Sequence, residues 1–188
     1  HQAGVGVILD WTPAQFPRYA SGLEKFDGTP LYERQNPAEA IHPFWGTLLY
    51  NYGSPMVKDF LISNACFWAE VYHADGLRMD DVDAMLYLDY GRNPGEWTPN
   101  IYGTNENLDA LEFLKHLNSV IKERNPGLLL VAQENGLWPE LTDSVENDHL
   151  GFDYKWSGGW TKDLLEYLSK DPIERKNYHD QLTMSMLY

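Results

Sequence analysis

Cysteine is nearly absent: Cys66 stands alone, which excludes an internal disulfide framework. No Asn-x-Ser/Thr triplet offers a glycan acceptor either, and the two absences together favour a cytoplasmic origin. Positive charge is scarce, with 14 Lys and Arg against 28 Asp and Glu and a net charge of −14. Such a surface repels phosphate, so nucleic acid is not an expected partner, and anionic membrane surfaces are disfavoured. No apolar run approaches the ~18–20 residues that a bilayer span needs, so no membrane segment is expected. The first residue is His1 rather than Met and no leader precedes it, so the expectation is a piece cut from a longer chain. Apolar residues are plentiful at 43%, and aromatics reach 14%, with 7 Trp and 12 Tyr. The chain can therefore bury a core, unlike a disordered acidic tail.

The apolar run GVGVILD, residues 4–10, reads as a buried parallel strand with Asp10 at its C-terminal end. Its glycines do not make a dinucleotide fingerprint, because Leu9 stands where the third glycine belongs. Residues 11–53 are irregular and rich in Pro, Gly and aromatics, and a loop that long is usually functional. Ser54-Pro55 supplies a cap and a first-turn proline for an amphipathic helix over 55–73. DGLRMD, 75–80, is a short strand ending in another Asp, and 84–104 is a second long loop. Thr104 or Asn105 is expected to cap a helix with Leu108, Leu111, Leu114, Leu117 and Ile121 on one face, stopped by Asn125-Pro126-Gly127. LLLVAQE (128–134) and GFDYKW (151–156) read as further strands, with a helix near 159–169 between the second of these and a fifth candidate strand, LTMSMLY. Strands alternating with helices predict a parallel sheet with helical cover, either barrel or doubly wound.

Acids gather at the strand boundaries: Asp10, Asp75, Asp80 and Glu134. Carboxylates converging in one pocket divide labour, one attacking while the other donates a proton, as retaining glycoside hydrolysis requires. Singly, each acid serves equally as a cap or a solvated group. Arg78 lies two residues before Asp80, so both side chains share one strand face, which suits either a held nucleophile or a structural ion pair. Trp11, Phe16, Trp97 and Trp138 fall in loops, where rings stack on sugar C–H faces or simply pack the loop. Asp80, Asp81 and Asp83 resemble a calcium loop only superficially, without its Gly and terminal Glu, so no metal is expected. His42, His73, His116, His149 and His179 lack ligand spacing and read as surface or core residues. No cofactor is expected.

The blocks GVGVILDWTPAQFP, FDGTPLYE, WGTLLYNYG, FLISNACFW, YHADGLRMDDVDAMLYLDY and GEWTPNIYG together resemble the bacterial glycogen branching enzymes of the alpha-amylase family. The resemblance runs nearly the whole length. It implies an α/β fold in which residues 1–188 form part of a (β/α)8 TIM barrel, about its third to seventh strands. A whole barrel takes ~250 residues, so the remaining strands and the family's flanking β-domains are expected from the parent chain.

The resemblance also implies roles. Asp10 matches the Asp of the family's first conserved region, and Arg78 and Asp80 match the Arg and the nucleophile of DGLRVDAV. Asp80 would attack an α-1,4-glucan and hold a covalent glycosyl intermediate, which a glucan 6-hydroxyl resolves as an α-1,6 branch. Trp11 and Trp138 would join Asp10, Gln15 and Arg78 in binding the glucan. Two departures stand out. Gln15 replaces the His of DWVPxHF, and Gln133 occupies the acid/base position, the first Glu of AEES. Glu134 could substitute only if the strand end turned it inward. The family's final region, with its His-Asp pair, would fall beyond Tyr188. The expectation is a branching enzyme segment acting on α-glucan in glycogen biosynthesis; the alternatives are a glucan-binding homologue without the acid/base or an amylase-type hydrolase.

Overall fold

The computed structural model describes residues 1–19, 21–136 and 138–184. Four strands, β1 (Ile8–Trp11), β4 (Gly76–Met79), β5 (Leu129–Gln133) and β6 (Tyr154–Trp156), lie side by side in chain order. All three pairings are parallel. Two short strands, β2 (Gln15–Phe16) and β3 (Leu48–Leu49), pair antiparallel within the first long connection, which also holds the one-turn helix α1 (Pro37–Ala40). Helices α2 (Pro55–Glu70) and α4 (Leu108–Arg124) cross over between successive sheet strands, and the short α3 (Val82–Leu86) follows β4 directly. A parallel sheet with sequential order and helical crossovers is the wall of an α/β barrel.

Strand alternation decides which face each residue takes. Leu9, Leu77, Met79, Leu130 and Ala132 pack against Val57 and Leu61 of α2 and Phe113, Leu114, Leu117 and Ile121 of α4. Gly76 sits where β1 and β5 crowd β4: a Cβ there would lie 3.0 Å from the Leu129 carbonyl and 3.2 Å from Ile8. The opposite face carries Ile8, Asp10, Arg78, Val131 and Trp156 around an open cleft. Among these, Ile8 is 48% and Trp156 54% exposed. In a closed barrel that face is the packed interior. The 188-residue chain on its own is accordingly expected to self-associate through this face and to melt without cooperativity. Size exclusion with thermal melting checks it, and a sharp melt from a soluble monomer would refute it.

Three sequence expectations shift. Helix α4 begins later than expected, capped by Asn107, whose side chain accepts from the Ala110 N–H. Residues 105–107 are first drawn into backbone pairing with 86–88, through Leu88 N–H to Asn105 O and Asn107 N–H to Leu86 O. The second long loop opens with helix α3 rather than irregular chain. LTMSMLY does not begin as a strand: Asp180–Met184 is helix α6, following α5 (Gly158–Ser169), and 185–188 lie outside the described residues. Among the described residues no helix is long and apolar enough to cross a membrane.

Candidate active site

Parallel register puts Asp10 opposite Arg78, so the carboxylate at the end of β1 meets the guanidinium one strand over. Arg78 Nη1 donates to Asp10 Oδ1 at 2.9 Å, and Nη2 donates to Asp80 Oδ1 at 3.2 Å and to Gln133 Oε1. The ring of Trp156 lies under the same guanidinium, 5.1 Å from Cζ to centroid, at the strand position paired with Gln133. One cation thus joins three adjacent strand ends at the C-terminal edge of the sheet. Asp10 remains 72% exposed at the rim, whereas the Arg78 side chain is only 16% exposed. Burial pushes the Asp80 carboxyl above its ordinary range; Arg78 opposes this, while Asp81 and Asp10 add to it.

Gln15 stands beside this group. Its Nε2 donates to Asp81 Oδ2 at 2.9 Å, and its Oε1 accepts from the Thr47 hydroxyl.

Other expected site residues are placed elsewhere. Trp11 alternates away from Asp10: it is buried in the core, with its Nε1–H donating to Asn64 of α2 at 2.8 Å. Trp138 packs edge-on against Tyr87, 5.5 Å between centroids, in a separate depression with Leu111 and Leu150. Phe16 is likewise core, tilted against Tyr50. Asp75 lies at the other end of β4, where it accepts from the Val7 N–H.

Glu134 takes the helix-facing side with Ala132, fully buried, and its Oε2 lies 2.6 Å from Lys155 Nζ. Lys155 pairs in register with Ala132, so this ion pair sits across the sheet from Arg78. The inward turn that would let Glu134 replace Gln133 is not made. Asp83 shares the Glu134 pocket and accepts from the Asn135 N–H at 3.0 Å. Burial raises the Asp83 carboxyl to about 6 from the ordinary 3.8, with the Asn135 N–H opposing and Glu134 reinforcing. Between those values the folded chain holds a proton that the unfolded chain releases. Its stabilisation is full below pH ~4 and is lost as pH rises through ~6. Asp83→Asn keeps the shape of the protonated acid and is expected to raise the melting temperature more at pH 7 than at pH 4.5. Equal shifts at both values would contradict this.

No family model matches the chain. Full-length curated relatives do. The 1,4-alpha-glucan branching enzyme of Methylococcus capsulatus is 53% identical over 188 residues, all of this chain and 25% of its own length. Those of Thermobifida fusca and Rubrobacter xylanophilus are 52% and 53% identical over the same span. Over its whole length the chain is similar to bacterial 1,4-alpha-glucan branching enzymes. It spans about a quarter of the length of these relatives. Among solved structures, a noncanonic maltogenic alpha-amylase from Thermotoga neapolitana matches 100% of this chain and 36% of its own with a TM-score of 0.60 at 12% identity, a likeness of fold. A Salmonella typhimurium protein described as an alpha-amylase matches 96% of this chain and 26% of its own, with a TM-score of 0.59 at 16% identity.

Sequence reasoning missed two residues at or next to this strand-end cluster. Trp156 was legible in principle: it alternates with Tyr154 in GFDYKW and falls level with Gln133. His42 was not, because no local spacing links it to Asp81, 39 residues away, whose Oδ2 it meets at 2.8 Å.

Proposed function

We propose that this chain is the catalytic-barrel segment of a 1,4-alpha-glucan branching enzyme, a transglycosidase of glycogen biosynthesis acting in the cytoplasm. The observation that supports this reading is the single guanidinium of Arg78 reaching Asp10, Asp80 and Gln133 at neighbouring strand ends. In this reading Asp80 is the nucleophile. Its carboxylate oxygen bonds to the anomeric carbon of an α-1,4-glucan as the bond from that carbon to the 4-oxygen breaks. The departing 4-oxygen takes up a proton. A glucan 6-hydroxyl then attacks the same carbon, gives up its proton, and releases Asp80. Arg78 orients the nucleophile and keeps it available as an anion against the burial that opposes ionisation. Asp10 and Gln15 line the glucan path. The rest of the barrel and the flanking β-domains belong to the parent chain, and no cofactor enters.

Gln133 supports a second reading. An amide cannot donate the proton that the leaving oxygen needs, nor take one from the acceptor hydroxyl. The protein as written would then bind glucan and branch it weakly or not at all. Iodine staining together with reducing-end release on the full-length protein separates the cases. Branching shifts iodine colour without releasing reducing ends, hydrolysis releases them, and a pure binder does neither while still retaining glucan in an affinity gel.

A further inference from the structure

Asp81 follows the proposed nucleophile in sequence, yet its side chain turns away into a pocket of donors. Its backbone lies in the left-handed region at φ 61°, which only Gly, Asn and Asp visit with any ease. Its side chain is 11% exposed. Three segments supply the donors: Gln15 of β2 at 2.9 Å, His42 at 2.8 Å, and the hydroxyl of Tyr90 beyond α3. His42 is fully buried, and its Nδ1 accepts the N–H groups of Phe44 at 3.2 Å and Trp45 at 3.3 Å. With Nδ1 accepting, Nε2 is the ring nitrogen that donates to Asp81. Among the described residues no Lys or Arg pairs with Asp81. This nearly buried carboxyl is thus held by hydrogen-bond donors from distant segments rather than by a Lys or Arg.

We infer that Asp81 is a positioning residue for Asp80, tying the Gln15, His42 and Tyr90 segments to the end of β4 and setting the electrostatic environment of the neighbouring carboxylate. The inference rests on Asp80 being the nucleophile. Its geometry is independent of the acid/base position, because Gln133 makes no part of this network. Asp80 is faced by Arg78 of its own strand, Asp10 of β1, Gln133 of β5, the Tyr90 hydroxyl and Asp81. Of the charged groups, Asp10 and Asp81 oppose its ionisation and Arg78 favours it. Among the described residues no hydrogen bond or ion pair joins Asp81 to Arg78, so its charge can be removed while the Arg78 bridge stays in place.

The test uses full-length protein and two readouts. Carbodiimide-driven amine coupling at Asp80, quantified by peptide mass spectrometry across pH, reports protonation of that carboxyl without needing turnover. The acidic limb of kcat/KM is measured in the Gln133→Glu variant. Asp81→Asn preserves the acceptor for Gln15 and His42 but removes the charge. Both midpoints are expected to move down by roughly half to one pH unit. Should Asp81→Asn fail to fold, Asp81→Gly suits the left-handed backbone and removes the same charge, so the Asp80 midpoint is expected to fall likewise. An unmoved Asp80 midpoint in a folded variant overturns the inference. A labelling shift without any branching in Gln133→Glu would instead overturn the branching reading and leave the coupling of the two carboxylates standing.

Discussion

Gln133→Glu in the full-length protein is expected to raise branching by about 10²–10⁴-fold, the usual worth of a positioned general acid/base. Position 133 lies at the end of β5 with its side chain on the Arg78 face, so a carboxyl introduced there needs no backbone movement to reach the cleft. Two steps stand to gain, because one group would protonate the departing 4-oxygen and later deprotonate the acceptor 6-hydroxyl. Glu134, one residue on, does not supply this function: it is sealed on the helix side with Lys155. Initial rates from iodine staining, compared between the protein and its variant at several pH values, make the measurement. A protein already at full activity with Gln133, or a variant with no gain despite unchanged glucan binding, would remove residue 133 from the acid/base role.

Arg78→Ala in the Gln133→Glu background is expected to lose at least about 10²-fold in kcat, the cost of letting a reacting group drift by about an ångström. Among the described residues the guanidinium is the one group hydrogen-bonded to Asp10, Asp80 and Gln133 together, and it packs over Trp156. Without it, Asp80 keeps its burial and its acidic neighbours Asp81 and Asp10 but has no cation to favour the anion. The acidic limb of the rate profile should therefore move to higher pH as kcat falls. The Leu77 and Met79 side chains on the other face remain packed, so the fold should survive, which circular dichroism and melting would verify. Turnover near that of the Gln133→Glu parent would remove Arg78 from the site.

The spacing of DGLRMD was enough to put Arg78 and Asp80 on one strand face, since alternation is a local property of an extended chain. The same rule, applied to ILDW and LLLVAQE, separates Asp10 from Trp11 and Gln133 from Glu134. Trp11 was read as a loop residue, but it closes β1, and the same alternation sends it into the core. Trp138 carries no local mark that tells a sugar platform from a core ring, and it packs against the core. Helix α4 was expected from its leucines, but its start depended on residues 105–107 pairing with the chain after α3, a contact between segments far apart in sequence.

By itself the sequence determined the parallel α/β plan, the strand ends that carry the acids, and the amide at position 133, because periodicity and residue chemistry are written locally. Only the tertiary structure decided which of those strand ends meet. Register between β1, β4, β5 and β6 brings Asp10, Asp80, Gln133 and Trp156 to one guanidinium and leaves Asp75 at the far edge. Loop closure over 66 and 39 residues delivers Gln15 and His42 to Asp81. Such long-range contacts form only when the whole sheet packs, and no local pattern encodes them.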